Sequence, residues 1–147
     1  MVVCFSLVLL FLGVGPADAQ SFGTREDAEA LLAALGRLIR QDGVDAGVAA
    51  VQDATSPFAA TSMGVHVLRG PIVLADSREP ETASSSYERV ADRDGRQIWE
   101  QLNTALSSAD RTDVTLNWYH YDTSLPYDFE CLVEKVKQPD YIVMICR

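Results

Sequence analysis

The spacing of apolar residues changes along this chain, and the change constrains the fold more than any other feature. In the segment 24–52, apolar residues recur every three or four positions, which is typical of amphipathic helices. Beyond residue 64 they form short runs or alternate with polar residues, as in strands, apart from one further helical stretch at 96–107. The order is helix, helix, two strands, helix and three strands. It predicts an α+β domain in which a long N-terminal helix packs on a five-stranded antiparallel sheet.

Start and stop signals define the helices. Thr24, with Asp27 three residues later, is a variant of the capping box in which the shorter Asp carboxylate replaces that of Glu. Gly43 is a typical C-terminal stop, so the first helix is expected to end there and a second helix to follow at 44–52.

The strands are separated by turn residues and by one long loop. The third predicted strand, 114–121, alternates so that Tyr119 and Tyr121 share one face, opposite Trp118. The polar loop 76–94 precedes the third helix, and loops of this length in a compact domain are usually functional or mobile. The other four predicted strands are 65–68, 72–74, 132–136 and 141–145.

The N-terminal segment has the layout of a secretory signal peptide. An apolar run at 2–14 precedes the helix breaker Gly15-Pro16 and an A-x-A cleavage site at 17–19. The run is shorter than the roughly 20 residues that span a bilayer. No Lys or Arg precedes it, which indicates either a start further upstream or a weak variant of the signal. An uncleaved N-terminal anchor is the alternative to a signal peptide, and both place the remainder outside the cytoplasm. We expect cleavage before Gln20 and one mature domain, residues 20–147, that is periplasmic or secreted.

Export predicts one disulfide. Of the three cysteines, one leaves with the signal peptide, and Cys131 and Cys146 remain in an oxidising compartment. They flank two strand-like runs joined by a turn. If 138–139 is a two-residue loop, the two cysteines lie directly opposite each other and Val136 faces Tyr141. A proline at the second loop position is unusual in hairpins, so a longer loop with a shifted register is the alternative.

Charge and histidine content exclude several functions. The net charge of −9 becomes −8 when Asp18 leaves with the signal peptide, which argues against nucleic acid or anionic lipid as a partner. His66 and His120 are the only histidines, and no metal-ligand spacing surrounds them. Asp92 and Asp94 begin like a calcium loop, but a glycine follows too early, which favours helix capping. With no legible nucleophile or acid–base pair, we expect neither an enzyme nor a bound cofactor or metal.

Several short motifs occur in an order that is typical of one family. Asp92-Arg93-Asp94-Gly95 before a helix is close to a D-x-x-G element, and Asp140-Tyr141-Ile142-Val143 opens the last strand. Together with the strand–turn–strand segment 66–75, these motifs resemble the single Cache domain, an extracytoplasmic relative of the PAS-like sensor fold. The other similar segments are 41–46, 56–58, 119–127 and 131–133.

The resemblance implies a ligand site. Family members bind small molecules, often organic acids or amine-like metabolites, in a pocket on one sheet face under the long loop. We therefore expect a free-standing domain that binds or senses such a molecule between the sheet and the 76–94 loop. Further partners would be a membrane-bound signalling protein or a second copy of the chain. The expected wall residues are His66, Arg69, Asp92, Tyr119 and Tyr121.

Alternatives remain at these residues. Arg69, at the end of its strand, can pair a ligand carboxylate or be a solvated turn residue, whereas Asp92 can take an amine. Tyr119 and Tyr121 either line the pocket or cover the long helix.

The last strand ends in 145–147 without the glycine and tyrosine usual in the family, so the alternative function is a secreted structural or interaction module that lost its pocket. An intact cavity with polar groups favours binding, and a cavity filled by Leu or Phe favours the alternative.

Overall fold

The architecture follows the order of the sequence patterns. The computed structural model describes residues 23–137 and 140–147, so the predicted signal peptide lies outside the described residues. The elements are α1 (Arg25–Asp42), α2 (Val44–Gln52), β1 (Gly64–Arg69), β2 (Ile72–Asp76), α3 (Ile98–Ala105), β3 (Arg111–Tyr119), β4 (Pro126–Lys137) and β5 (Tyr141–Cys146). The predicted α+β class with five strands is confirmed.

The strands form one antiparallel sheet in the order β2-β1-β5-β4-β3. The last strand, β5, is therefore central, with β1 on one side and β4 on the other. Two short 3-10 turns, Pro80–Thr82 and Tyr87–Arg89, lie in the segment between β2 and α3. Within the described ranges, no helix combines the length and the apolar character needed to cross a bilayer.

The capping signals act as the sequence predicts. The Thr24 hydroxyl accepts a hydrogen bond from the Asp27 amide at 3.1 Å, and the Asp27 carboxylate accepts one from the Thr24 amide at 2.8 Å. Gly43 ends α1 with φ +96°, a conformation that glycine adopts without the steric cost of a Cβ, and its amide donates to the Ile39 carbonyl. The chain can then turn directly into α2.

The sheet has an apolar core on each face. On one face α1 and α2 cover the sheet, and Leu32, Leu35 and Ile39 of α1 are fully buried. On the other face α3 and the segment 77–97 cover it. The helix pair α1 and α2 shields the first face. The irregular segment 77–97 meets the sheet on the second face.

The hairpin of β4 and β5 carries the predicted disulfide. Cys131 and Cys146 are cross-strand partners joined by an S–S bond of 2.07 Å. The predicted pairing of Val136 with Tyr141 is wrong, because the register shifts by one residue and Lys137 is the partner of Tyr141. A bulge thus leaves Val136 out of the ladder, with its side chain buried in the core beneath α1.

Candidate functional site

A cavity of about 150 Å³ lies between the second sheet face and the segment 77–97. This is the location that the sequence predicts for a pocket. The sheet, α3 and the β3–β4 connection supply most of the apolar wall, and the segment after β2 supplies most of the polar groups. The lining residues are His66, Glu79, Thr82, Ser85, Tyr87, Val90, Ile98, Leu116, Trp118, Tyr121, Phe129, Met144 and Cys146.

The segment that covers the cavity is tied to β2 by its backbone. The Ser84 amide donates to the Val73 carbonyl at 2.8 Å, and the Val73 amide donates to the Ser85 carbonyl at 3.0 Å. The Tyr87 amide donates to the carbonyl of Pro71 at 2.8 Å. These backbone hydrogen bonds anchor the covering segment to the edge strand β2, so the segment that covers the cavity is held in place.

His66 and Asp76 form a buried pair at one end of the cavity. Their side chains come from neighbouring strands, β1 and β2, in which the two residues are direct partners. His66 is 4% exposed and Asp76 1% exposed. His66 Nδ1 lies 3.1 Å from Asp76 Oδ2, close enough for electrostatic attraction, although the direction departs from hydrogen-bond geometry. His66 Nε2 is also buried and has no hydrogen-bond partner among the described residues.

Asp76 is held ionised by its surroundings. Burial by itself would raise the pKa of this carboxyl group, but the adjacent His66 imidazole and the amides of Arg78 and Glu79 lower the pKa to about 2. Those amides donate to Asp76 Oδ1 at 2.9 and 3.0 Å. Asp76 therefore fixes both the imidazole of His66 and the start of the covering segment.

Glu79 brings a second carboxyl group to the cavity wall. Its side chain is half-buried and has no ion pair with any residue that the structure describes. Burial, with smaller contributions from the Asp76 and Glu81 charges, raises its pKa. An unpaired, partly desolvated carboxylate of this kind is favoured by a nearby positive charge.

Two tyrosines complete the polar part of the wall. Burial, together with the negative charge of Asp76, raises the pKa of both Tyr87 and Tyr121, so their phenols stay protonated and can donate hydrogen bonds. A Cβ on Gly64 would lie within 3.0 Å of both the Tyr121 hydroxyl oxygen and His66 Nε2. Both atoms thus lie close to the Cα of Gly64, and a side chain at this position would clash with them.

An ion pair closes the outer side of Tyr121. Arg78 donates to Asp122 at 2.7 Å, and its guanidinium carbon lies 5.3 Å from the centre of the Tyr121 ring. Asp122 belongs to the connection between β3 and β4. The pair therefore joins the covering segment to that connection on the solvent side of the cavity.

Two of the five wall residues predicted from the sequence, His66 and Tyr121, line the cavity. Arg69 is exposed at the far end of β1, where it pairs with Tyr141 of β5. Tyr119 is 48% exposed, and Arg93 lies over its ring at 5.2 Å.

Asp92, the fifth predicted wall residue, is buried outside the cavity lining. Its carboxylate accepts hydrogen bonds from the Asp94 and Arg96 amides, from Arg96 Nε at 3.0 Å and from Gln101 Nε2 at 3.1 Å. Burial alone would raise the pKa of Asp92, but these bonds hold it below its ordinary value. The side chain organises the turn that precedes α3. The predicted helix capping is wrong, because the N-cap of α3 is Gln97, whose side chain makes no capping hydrogen bond.

The predicted face of Tyr121 is wrong. β3 ends at Tyr119, and the chain then turns, with the Ser124 amide donating to the His120 carbonyl at 2.8 Å. The turn brings Tyr121 to the cavity beside Trp118 and Phe129, rather than to the face of Tyr119. The alternation of a strand no longer applies once the strand has ended.

Sequence reasoning missed Asp76, Glu79 and Tyr87. Asp76 ends β2, and only its pairing opposite His66 shows that the two side chains meet. Glu79 and Tyr87 lie in the polar loop, where the sequence carries no periodic signal for direction. The only sequence feature that indicated this part of the site is the loop 76–94, because its length and position predicted where the cavity lies.

The fold is shared with sensor domains of chemotaxis receptors. A periplasmic sensor domain of a chemotaxis protein superposes with a TM-score of 0.61 at 14% identity, covering 83% of this chain and 88% of its own. A methyl-accepting chemotaxis protein from Vibrio parahaemolyticus gives 0.62 at 12% identity, covering 83% and 86%. A Cache chemosensory domain that recognises carboxylic acids gives 0.59 at 15% identity, covering 82% and 80%.

The chain has a Cache-like fold. The resemblance stated from the sequence motifs is thereby confirmed at the level of the fold. No family profile matches the sequence, and no curated protein does. At identities of 12–15%, the likeness shows architecture alone, so the function has to be argued from the cavity.

Proposed function

We propose that this chain is an exported Cache-like domain that binds a small molecule, of organic acid or amine type, in the cavity between the sheet and the segment 77–97. The observation that carries the proposal is the buried His66 Nε2, which has no partner among the described residues and borders a mostly apolar cavity. A buried polar atom without a hydrogen bond costs about 1–3 kcal/mol, and a ligand that satisfies it recovers that free energy.

The size and lining of the cavity suit a ligand. A cavity of about 150 Å³ is large enough for a molecule of benzene size. Aromatic side chains with a few convergent polar groups are typical of small-molecule sites. The alternative, a structural or interaction module without a pocket, predicts that Leu or Phe side chains fill this space, and here the space is open.

Location and partners belong to the same proposal. The neighbours are periplasmic and receptor sensor domains, which supports a place outside the cytoplasm for this chain. A domain that binds a metabolite there would act through a membrane-bound signalling protein or a second copy of itself. Mass spectrometry of the exported protein should show a start at Gln20, and an intact N-terminal Met1 on that product would contradict the cleavage.

A thermal-shift screen of organic acids, amino acids and amines tests the binding function. A ligand at 100 times its dissociation constant stabilises by about 2.7 kcal/mol. For a domain of this size that corresponds to a rise in Tm on the order of 10 °C.

A matched pair of variants locates the site. Tyr121→Phe removes a hydroxyl from the cavity wall, and Tyr119→Phe removes one from an exposed residue outside it. Any hit should lose affinity in Tyr121→Phe and keep it in Tyr119→Phe. Equal affinity in both variants would place the ligand elsewhere, and a screen without hits would favour the structural alternative.

A further inference from the structure

The charges at the cavity are negative. Among the described residues that line it, Glu79 is the one carboxylate and no Lys or Arg is present. Asp76 lies directly behind His66 and is ionised. Thr82 and Ser85 add neutral hydroxyl groups. A carboxylate ligand would meet Glu79 in this wall with no cation to offset the repulsion.

Arg78, which lies near the cavity, does not offset the negative charge of its lining. Arg78 is engaged by Asp122 at 2.7 Å and is not part of the lining. It lies over the Tyr121 ring, 5.3 Å from the ring centre. Its charge is thus directed to the connection between β3 and β4 rather than to the ligand space.

The orientation of the His66 ring also favours a ligand that donates a hydrogen bond. A carboxylate faces Nδ1 at 3.1 Å, so in the neutral form of the ring the proton belongs on Nδ1. Nε2 then carries a lone pair and is an acceptor. In that form the buried Nε2, which has no partner among the described residues, is satisfied by a ligand that donates a hydrogen bond, which an ammonium group does and a carboxylate does not.

The apolar wall also suits a cation with a hydrocarbon body. Trp118, Tyr87 and Tyr121 line the cavity with aromatic surface, and the face of an aromatic ring attracts a cation by about 0.5–2 kcal/mol. Val90 and Met144 offer contact to an alkyl chain. The space of about 150 Å³ limits such a ligand to a few heavy atoms beyond its nitrogen.

We propose that this cavity selects a small organic ammonium ion over a carboxylate, with Glu79 as the counter-ion and His66 Nε2 as an acceptor. This inference rests on the proposed binding function and assigns its ligand class. It gives this chain a preference different from that of the Cache chemosensory domain that recognises carboxylic acids.

Three probes with the same branched four-carbon skeleton test the proposal. Isobutylamine, isobutyrate and isobutyramide differ mainly in charge and can be compared by isothermal titration calorimetry near pH 7. A hydrogen bond to a charged group contributes about 1.5–3 kcal/mol, so isobutylamine should bind at least about tenfold more tightly than isobutyrate. Tighter binding of isobutyrate would overturn the inference and keep the binding function.

Paired glutamate variants identify the counter-ion. Glu79→Gln should weaken isobutylamine about tenfold and leave isobutyramide unchanged. Glu81→Gln, two residues further on, exposed and outside the lining, is the control and should change neither. Because the Glu79 carboxylate has no ion pair with a described residue, its variant should fold as stably as the parent.

The remaining outcomes are also decisive. If Glu79→Gln and Glu81→Gln bind isobutylamine equally, Glu79 is not the counter-ion and the inference fails. If none of the three probes binds, the inference fails for ligands of this size. The wider thermal-shift screen then decides separately whether the cavity binds any small molecule.

Discussion

Replacing Asp76 by Asn tests whether the buried pair at the end of the cavity stabilises the fold. The pKa of Asp76 falls from 3.8 to about 2 in the folded protein. One pKa unit corresponds to about 1.4 kcal/mol, so the ionised carboxylate contributes about 2–3 kcal/mol to the free energy of unfolding at neutral pH. Asp76→Asn should lose about that amount at pH 7.

The pH dependence distinguishes this contribution from general damage. Since the folded pKa lies below the unfolded one, the stabilisation is fully present above about pH 5 and disappears as pH falls from about 4 to about 2. The stability difference between the parent and Asp76→Asn should therefore shrink towards zero over that window. A mutation that merely disturbed packing would cost the same at every pH.

Urea unfolding followed by circular dichroism, at several pH values between 7 and 2.5, measures the difference. Asp42→Asn, at the exposed end of α1, is the control and should change stability by only a few tenths of a kcal/mol. A loss in Asp76→Asn that stays constant down to pH 2.5 would refute the electrostatic account, and so would the absence of any loss at pH 7.

Three further predictions concern the disulfide, the polar corner and the outer ion pair. Replacing Cys131 and Cys146 together by Ser should lower the free energy of unfolding by about 3 kcal/mol, measured by urea unfolding, because the bond closes a loop of 15 residues; an unchanged midpoint would contradict this. Gly64→Ala would place a methyl group against the Tyr121 hydroxyl and His66 Nε2, so calorimetry should show at least a tenfold loss of isobutylamine affinity. Unchanged affinity would mean that the ligand does not contact the Tyr121 hydroxyl or His66 Nε2. Arg78→Ala removes the ion pair beside the Tyr121 ring and should raise the dissociation rate of isobutylamine, measured by stopped-flow tryptophan fluorescence, whereas an unchanged rate would show that the ion pair does not retain the ligand.

Local signals predicted the helices and the hairpin well. The bounds of α2, Val44–Gln52, are those expected from the sequence, and the cap at Thr24 and the stop at Gly43 are confirmed. These features depend on neighbours within four residues, which a sequence displays directly. The pairing of Cys131 with Cys146 is likewise a property of one hairpin.

The cavity was predictable in position but not in composition. A long polar loop next to a sheet indicated where a pocket would lie. Which side chains enter it depends on where β3 ends and on which strand lies beside β1, and neither is written in a local pattern. Tyr121 reaches the cavity because β3 stops at Tyr119, and Asp76 reaches His66 through the register of β1 with β2.

Charged residues were the hardest to assign. Arg69 and Asp92 looked like ligand contacts because they occur at the ends of a strand and a loop. In the structure Arg69 lies at the exposed end of β1, and the carboxylate of Asp92 is occupied by Arg96 and Gln101. A sequence does not show whether a charge is already paired, whereas the contacts do. Only the contacts show that Glu79 has no ion pair with a described residue.

A crystal structure of the protein with isobutylamine shows directly whether the cavity holds an ammonium ion. We expect density for the ligand between the sheet and the segment 77–97, with its nitrogen about 2.7–3.2 Å from a Glu79 oxygen and from His66 Nε2. Density in the open groove between α1 and Phe58, or an empty cavity at saturating isobutylamine, would contradict it.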